Sequence, residues 1–310
     1  MSGRRAAAIP CDSEGHDHVT SVGFVGLGIM GRPMALNLAW SGTPLVVWNR
    51  TLERCLPVEA AGARVASHVG EVFDRCETVI LMLADESAID DVLGCQTSAF
   101  DGLVRRHTIV QMGTVDPGYS RRLADRVAGA GGCYVEAPVS GSRGPAEAGE
   151  LVAMLAGAPE DCTHVRAIIA PMCRAVFDCG TPPHALLTKF AVNLFMIAMV
   201  TGLAEAYHFA EGHGVDPALL DRILDASPMA STVSRAKSAK LARRDFEVQA
   251  GLADVHKNTD LITRAARSRG IASPVLDACH ALYGEAVALG HLTEDMAAVI
   301  HAVRARTAAA

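Results

Sequence analysis

Short apolar runs alternate with segments that carry one polar face from residue 21 to residue 180. The runs have strand length, and they cover residues 22–25, 45–48, 79–83, 108–112, 133–135, 151–156 and 175–179. Helical patterns lie between them, including residues 33–40, 88–93 and 119–127. Strands joined through helices form a mostly parallel sheet with right-handed crossovers and helices on both faces. The pattern therefore predicts a doubly wound α/β domain over residues 20–182.

The pattern changes after Thr181-Pro182-Pro183, because the two prolines can begin a helix but cannot continue one. Apolar residues then recur at helical spacing over residues 184–212, 217–226, 232–241, 246–269, 275–289 and 294–304. Residues 183–310 are therefore predicted to form an all-α domain for substrate binding and oligomerisation. No apolar run reaches the ~20 uninterrupted residues of a membrane span, and residues 190–203, which include Asn193, predict a buried helix.

Composition narrows the class of protein. A length of 310 residues suits two domains, and 50% hydrophobic residues predict a globular chain. A net charge of −6 without a block of Lys and Arg argues against a nucleic-acid partner. Nine cysteines without a Cys-x-x-Cys pair, in a chain whose first residues lack a secretory signal, predict reduced thiols and a cytoplasmic protein. Residues 1–19 are predicted to be a disordered tail, and no residue pattern predicts a metal site.

A glycine-rich motif follows the first apolar run and precedes the first helical pattern: Gly26-Leu27-Gly28-Ile29-Met30-Gly31. Such glycines permit a tight turn and a close backbone approach, and the helix N-terminus attracts a pyrophosphate. The motif predicts a dinucleotide site in a Rossmann-type domain. The second run ends at Asn49, Arg50 and Thr51, where NAD-binding proteins place Asp or Glu. A guanidinium can pair with a 2′-phosphate, so Arg50 predicts NADP in preference to NAD. The alternative is an arginine that begins a solvated helix.

Two further segments carry candidate chemistry. The loop of residues 137–146 is rich in small residues and exposes backbone N–H groups and a hydroxyl, which suits a carboxylate; the alternative is a plain turn. Lys189 begins an apolar helix, with Asn193 one turn further along the same face. Desolvation would lower the pKa of Lys189, so that it could exchange a proton with a substrate oxygen. The alternative is a lysine that extends its ammonium into solvent at the domain junction.

The chain from about residue 22 to residue 300 resembles the β-hydroxyacid dehydrogenases, the family of 3-hydroxyisobutyrate dehydrogenase and of glyoxylate and succinic semialdehyde reductases. The resemblance rests on the glycine motif, Pro138-Val139-Ser140-Gly141, Lys189-x-x-x-Asn193, and Lys257 with Gly270 and Pro274 after it. It implies that Lys189 is the catalytic acid/base and that Asn193, Ser140 and Gly141 bind substrate. It also implies a cofactor site that includes Leu83, Thr114 and Lys257, and a homodimer or homotetramer formed through the C-terminal helices.

Three residues depart from the family pattern. Gly113 replaces a serine, Ser142 replaces a glycine, and Asn258 replaces an aspartate. None is the proton donor, so the sequence predicts an NADP-dependent oxidoreductase that interconverts a small aldehyde or keto acid and its hydroxy acid. Two alternatives stay open. One is an imine reductase, although such proteins usually resemble the family with Asp or Tyr at the lysine position. The other is a cofactor-binding protein without catalysis.

Overall fold

The computed structural model of the chain describes residues 21–308, and the predicted tail lies outside them. The strands are β1 (Ser21–Val25), β2 (Leu45–Trp48), β3 (Arg64–Val65), β4 (Cys76–Leu81), β5 (Thr108–Gln111), β6 (Cys133–Glu136), β7 (Val139–Ser140), β8 (Leu151–Leu155) and β9 (Cys173–Asp178). The helices of the first half are α1 (Gly31–Trp40), α2 (Leu56–Ala60), α3 (Val69–Arg75), α4 (Glu86–Leu93), α5 (Phe100–Val104), α6 (Pro117–Gly129), α7 (Arg143–Glu147) and α8 (Pro159–Ile169). Those of the second half are α9 (His184–Gly212), α10 (Pro217–Ala226), α11 (Thr232–Arg243), α12 (Leu252–Ser268), α13 (Pro274–Ala288) and α14 (Ile300–Ala308).

Strands β1 to β6 form one parallel sheet in the order β3-β2-β1-β4-β5-β6. Alternate residues face opposite sides, and both sides are buried: Phe24 and Ile80 belong to one apolar core, while Val25 and Leu81 belong to the other. The strand order reverses between β1 and β4, and in open α/β sheets ligands bind beyond the carboxyl ends of the strands at such a point. The predicted doubly wound Rossmann-type domain is therefore confirmed.

The last two predicted strands do not extend this sheet, contrary to the prediction of a single sheet. As β8 and β9 they form a second sheet together with the short strand β7; β7 and β8 are antiparallel, and β8 and β9 are parallel. Pro138 separates β6 from β7 and has no N–H to continue a ladder, while its carbonyl accepts the N–H of Met154 at 3.0 Å. The chain therefore leaves the first sheet at Glu136 and carries Ser140 into the second.

Helix α9 is the central element of the helical domain. By length and composition alone it could cross a membrane. Phe190, Ile197, Val200 and Tyr207 bury one of its faces in a core shared with α12, α13 and α14, as expected of the core helix predicted from sequence. The predicted all-α architecture of the C-terminal domain is confirmed.

Two predicted helices have different bounds. The helix predicted from residue 246 begins at Leu252, and the one predicted over residues 294–304 is a 3-10 turn at Met296–Val299 followed by α14. A buried ion pair explains the loop before α12, because both carboxylate oxygens of Asp295 lie 2.8 Å from the ammonium of Lys237. Asp295 also accepts the backbone N–H groups of Gln249 and Ala250 at 3.0 Å, which holds this loop out of the helix.

Candidate active site

The three glycines of the predicted dinucleotide motif have three different environments. Gly26 follows β1 with a φ of +99°, and a Cβ atom there would lie 2.3 Å from the carbonyl oxygen of Met82. A Cβ atom on Gly31 would lie 2.0 Å from the carbonyl oxygen of Gly26, so this glycine lets α1 pack against the strand. A Cβ atom on Gly28 would meet nothing within 4 Å. The open space over Gly28, at the start of α1, fits a pyrophosphate.

The end of β2 lies beside this loop. Asn49 accepts the backbone N–H of Leu27 through its Oδ1 at 2.9 Å, and its amide donates to the carbonyl oxygen of Thr51 at 2.8 Å. Asn49 therefore ties the ends of β1 and β2 together. Arg50 is exposed, and no hydrogen bond or ion pair within residues 21–308 engages its guanidinium. Ile29 is 55% exposed, Met30 is half-buried, and both remain predicted cofactor contacts.

Lys257 connects the helical domain to the sheet. Its ammonium, on α12, donates to the carbonyl oxygens of Ala84 and Thr114, which follow β4 and β5, and the bond to Thr114 is 3.0 Å long. The structure therefore brings together Thr114 and Lys257, two of the predicted cofactor residues. Leu83, half-buried, lies at the same edge.

Gly113 also lies at this edge. A Cβ atom at this position would lie 2.6 Å from the carbonyl oxygen of Leu83, so β4 and β5 approach too closely here for a side chain. The departure from serine therefore has a steric reason within this structure.

Lys189 is the best-defined residue of the candidate site. It lies on the second turn of α9, and its ammonium donates a hydrogen bond to the carbonyl oxygen of Val139, the residue before Ser140. Burial lowers the pKa of Lys189 to about 8. Although the residue keeps part of its surface exposed, its ammonium is directed to a protein carbonyl, unlike that of a lysine extended into solvent.

The predicted substrate residues follow the two segments that this hydrogen bond joins. Asn193 is buried one turn further along α9, and within the described part of the chain its side chain forms no hydrogen bond. Ser140 ends β7, and Gly141 has a φ of +135°, with a Cβ position only 2.7 Å from Leu151. A hydroxyl, a backbone without a side chain and an amide thus belong to the segments that flank the Lys189 ammonium, which suits a small anionic substrate.

Sequence reasoning missed Glu136, a fully buried carboxyl group at the end of β6. The only signal was an acidic residue at the end of an apolar run, immediately before the small-residue loop.

A possible ligand set also escaped notice: His291, Glu294 and His301 have potential ligand atoms within 4.8 Å of one another. The two imidazole rings stack at 4.0 Å with an interplanar angle of 8°. Because their lone pairs lie in separate parallel planes, they do not converge on one ion.

Comparison with known proteins assigns both domains of the chain to one class of protein. Residues 21–180 match the family described as the NAD binding domain of 6-phosphogluconate dehydrogenase. Residues 184–303 match the family described as NAD-binding of NADP-dependent 3-hydroxyisobutyrate dehydrogenase. Glyoxylate/succinic semialdehyde reductase 2 of Arabidopsis thaliana is 32% identical over 92% of this chain and 80% of its own length.

Two solved structures share the fold. The 3-hydroxyisobutyrate dehydrogenase of Mycobacterium tuberculosis, solved with L-serine, has a TM-score of 0.80 at 22% identity and covers 92% of this chain and 99% of its own. An imine reductase from a Pseudomonas species has a TM-score of 0.59 at 22% identity, with 92% and 99% coverage. The fold and the matches define an NAD(P)-dependent oxidoreductase. The chain belongs to the β-hydroxyacid dehydrogenase family, as its motifs predicted.

The environments of the glycines predict a separation of cofactor binding from stability. Gly28→Ala places a methyl group in open space, so the protein should fold normally but bind NADPH at least about tenfold more weakly, a loss of about 1.4 kcal/mol. Gly31→Ala should instead lower the free energy of unfolding. Fluorescence titration and urea denaturation measure the two effects. Gly129→Ala, in open space on α6, is the matched control and should change neither affinity nor fold; equal affinity of Gly28→Ala and wild type would contradict the assignment.

Proposed function

We propose that this protein is an NADP-preferring reductase that interconverts a small aldehyde or keto acid and its hydroxy acid, with Lys189 as the acid/base. One observation carries the proposal: a desolvated ammonium on α9 is held against the carbonyl that precedes Ser140 and Gly141. Its lowered pKa suits proton exchange near neutral pH. The alternative of a non-catalytic cofactor-binding protein gives no role to a desolvated ammonium that has a carbonyl partner but no counter-ion within residues 21–308.

The residues that would bind the cofactor follow β1, β2, β4 and β5, and Lys257 reaches this edge from α12. Gly26–Gly31 would bind the pyrophosphate, and Arg50 would bind the 2′-phosphate. The part of the cofactor that faces α12 would contact Leu83, Thr114 and Lys257. When bound, the nicotinamide supplies or accepts the hydride. Burial lowers the pKa of Lys257, whereas Asp254, Asp85 and Glu86 act in the opposite direction. These three carboxylates provide negative charge that Asn258 does not.

The predicted substrate residues would act on the carbonyl group of the substrate from the side opposite the nicotinamide. Ser140 and the backbone at Gly141 bind the acid group of the substrate, and Asn193 orients it. Lys189 stabilises the negative charge that develops on the carbonyl oxygen and donates the proton that completes the alcohol. Positioning and charge stabilisation of this kind can lower a barrier by several kcal/mol. In the oxidative direction the neutral amine of Lys189 removes the same proton.

The first test is a panel of small carbonyl compounds, with NADPH and NADH oxidation followed by absorbance. We expect turnover with an aldehyde or keto acid that bears a carboxylate, and none with a cyclic imine. Lys189→Ala should lower kcat by at least about 100-fold, the range of a lost general acid, with little change in NADPH affinity. Thr188→Ala, at the exposed neighbouring position, is the control and should retain activity. Retained turnover in Lys189→Ala, or preference for the imine, would refute the proposal.

The pH dependence follows from the lowered pKa of Lys189. Reduction needs the protonated ammonium, so kcat for reduction should fall as the pH rises through about 8. Oxidation needs the neutral amine and should rise over the same interval. A reductive profile without a limb in this range would contradict the role of Lys189 as the acid.

The preference for NADP is proposed from the exposed, unengaged guanidinium of Arg50. A charge-assisted pair with a phosphate is worth about 1.5–3 kcal/mol, so Arg50→Ala should weaken NADPH binding about 10- to 100-fold and leave NADH binding unchanged. Arg54→Ala, on the exposed turn that follows, is the matched control. Equal losses for both cofactors would show that Arg50 does not contact the 2′-phosphate.

We also propose a homodimer or homotetramer formed through the C-terminal helices. On α9, Phe195 and Phe209 are 71% and 68% exposed, and on α10 Ile223 is 56% exposed. Large exposed apolar side chains on neighbouring helices favour an interface between subunits. Light scattering that detects only monomer would contradict this part of the proposal.

A further inference from the structure

Glu136 lies in the interior between the first sheet and the start of α9. It has no exposed surface, and its Oε1 accepts the hydroxyl of Ser120 at 2.5 Å. The Ser120 oxygen lies 2.7 Å from the hydroxyl oxygen of Tyr134, so the carboxyl group is held on the side of α6. Its Oε2 accepts the backbone N–H of Leu186 at 3.3 Å. The carboxyl group therefore joins a strand end to a helix of the other domain.

The start of α9 lacks the usual local cap. The residue before the helix is Pro183, and no side chain at that position accepts a hydrogen bond from the first turn. The first N–H groups of a helix have no partner within the helix, and they favour a negative charge. The backbone N–H of Leu186, in this first turn, hydrogen-bonds to the Glu136 carboxyl group. A residue 50 positions earlier in the chain thus supplies the cap.

The same short segment contacts α9 a second time. Three residues after Glu136, the carbonyl oxygen of Val139 accepts the ammonium of Lys189. Lys189 lies three residues after Leu186, so the two contacts are one helical turn apart on the helix. Residues 136–139 therefore brace the helix at two points, and Ser140 follows immediately. The position of Lys189 relative to the loop of residues 137–146, which is predicted to bind substrate, depends on this pair of contacts.

We propose that Glu136 is a positioning residue for catalysis: by capping α9 from the end of β6, it sets the depth at which the Lys189 ammonium is buried beside Ser140. This inference rests on the proposed role of Lys189 as proton donor. If the cap is lost, the first turn of α9 can move and water can reach the ammonium. Hydration then raises the pKa of Lys189, because burial is what lowers it.

Two substitutions distinguish the hydrogen-bond acceptor of Glu136 from its negative charge. Glu136→Met keeps the length of the side chain but removes the acceptor, so kcat for reduction should fall about 10- to 100-fold, as expected for a misplaced catalytic group. The basic limb of its pH profile should move upward by about one unit, because the ammonium becomes hydrated. Glu136→Gln can still accept from the helix through its amide oxygen and donate to Ser120. It should keep the limb at its wild-type position and restore most of kcat.

Thr78→Val is the control for a general loss of stability. It removes the contact of 3.2 Å between the buried hydroxyl of Thr78, on β4, and His164, on α8. This variant should unfold more easily without any shift of the pH limb. An unmoved limb in Glu136→Met, or an unchanged kcat, would overturn the inference.

A second measurement tests the cap even if Glu136→Met does not fold. Hydrogen exchange at the amide of Leu186 should be slow in wild type and in Glu136→Gln, and rapid exchange in wild type would overturn the cap. Loss of turnover in Glu136→Gln would equally overturn it, since the charge and not the acceptor would then be needed. Retained turnover in Lys189→Ala would instead refute the proposed function, whatever Glu136 does.

Discussion

The hydrogen bond from the Lys189 ammonium to the Val139 carbonyl joins the two domains at the point where chemistry is proposed. A carbonyl is a neutral acceptor, so the positive charge is held in place but not neutralised. Burial without a counter-ion lowers the pKa of the ammonium, and this sensitivity to protonation is what a proton donor needs. Lys257 makes the same kind of contact with strand-end carbonyls on the other side of the cleft. One lysine of the helical domain thus contacts the second sheet, and another contacts the carboxyl edge of the first.

A third buried lysine shows how a structural role differs. Lys237 meets both carboxylate oxygens of Asp295, and the same carboxylate accepts the N–H groups of Gln249, Ala250 and Ala297. Every charge in this group has a partner, which is the condition for a buried ion pair to persist. The pair holds the loop before α12, and therefore the helix from which Lys257 reaches the sheet. The ion pair therefore supports the position of Lys257 without itself belonging to the candidate site.

Short sequence patterns predicted the structural features that depend on residues close together in the chain. The glycine motif, the parallel strands and the helical second half follow from short-range spacing, and the distinct environments of Gly26, Gly28 and Gly31 follow from the turn they make. Contacts between distant segments could not be read in this way. The cap that Glu136 gives to α9 joins positions 50 residues apart, and the Lys237–Asp295 pair joins positions 58 residues apart. The second sheet escaped prediction for a related reason, because one proline redirected a run that otherwise had strand character.

The three departures from the family pattern act on different sides of the cleft. Gly113 allows β4 and β5 to approach at the cofactor edge, and the carboxylates of Asp254, Asp85 and Glu86 act on Lys257 in place of an acidic residue 258. Both changes are therefore accommodated within the cofactor side of the fold. Ser142 differs, because it precedes α7 without capping it, and its hydroxyl forms no hydrogen bond within residues 21–308. A half-buried hydroxyl without a partner, two residues after Ser140, adds polarity where the substrate's acid group would lie. Selectivity among small acids should therefore depend on this position more than on the other two.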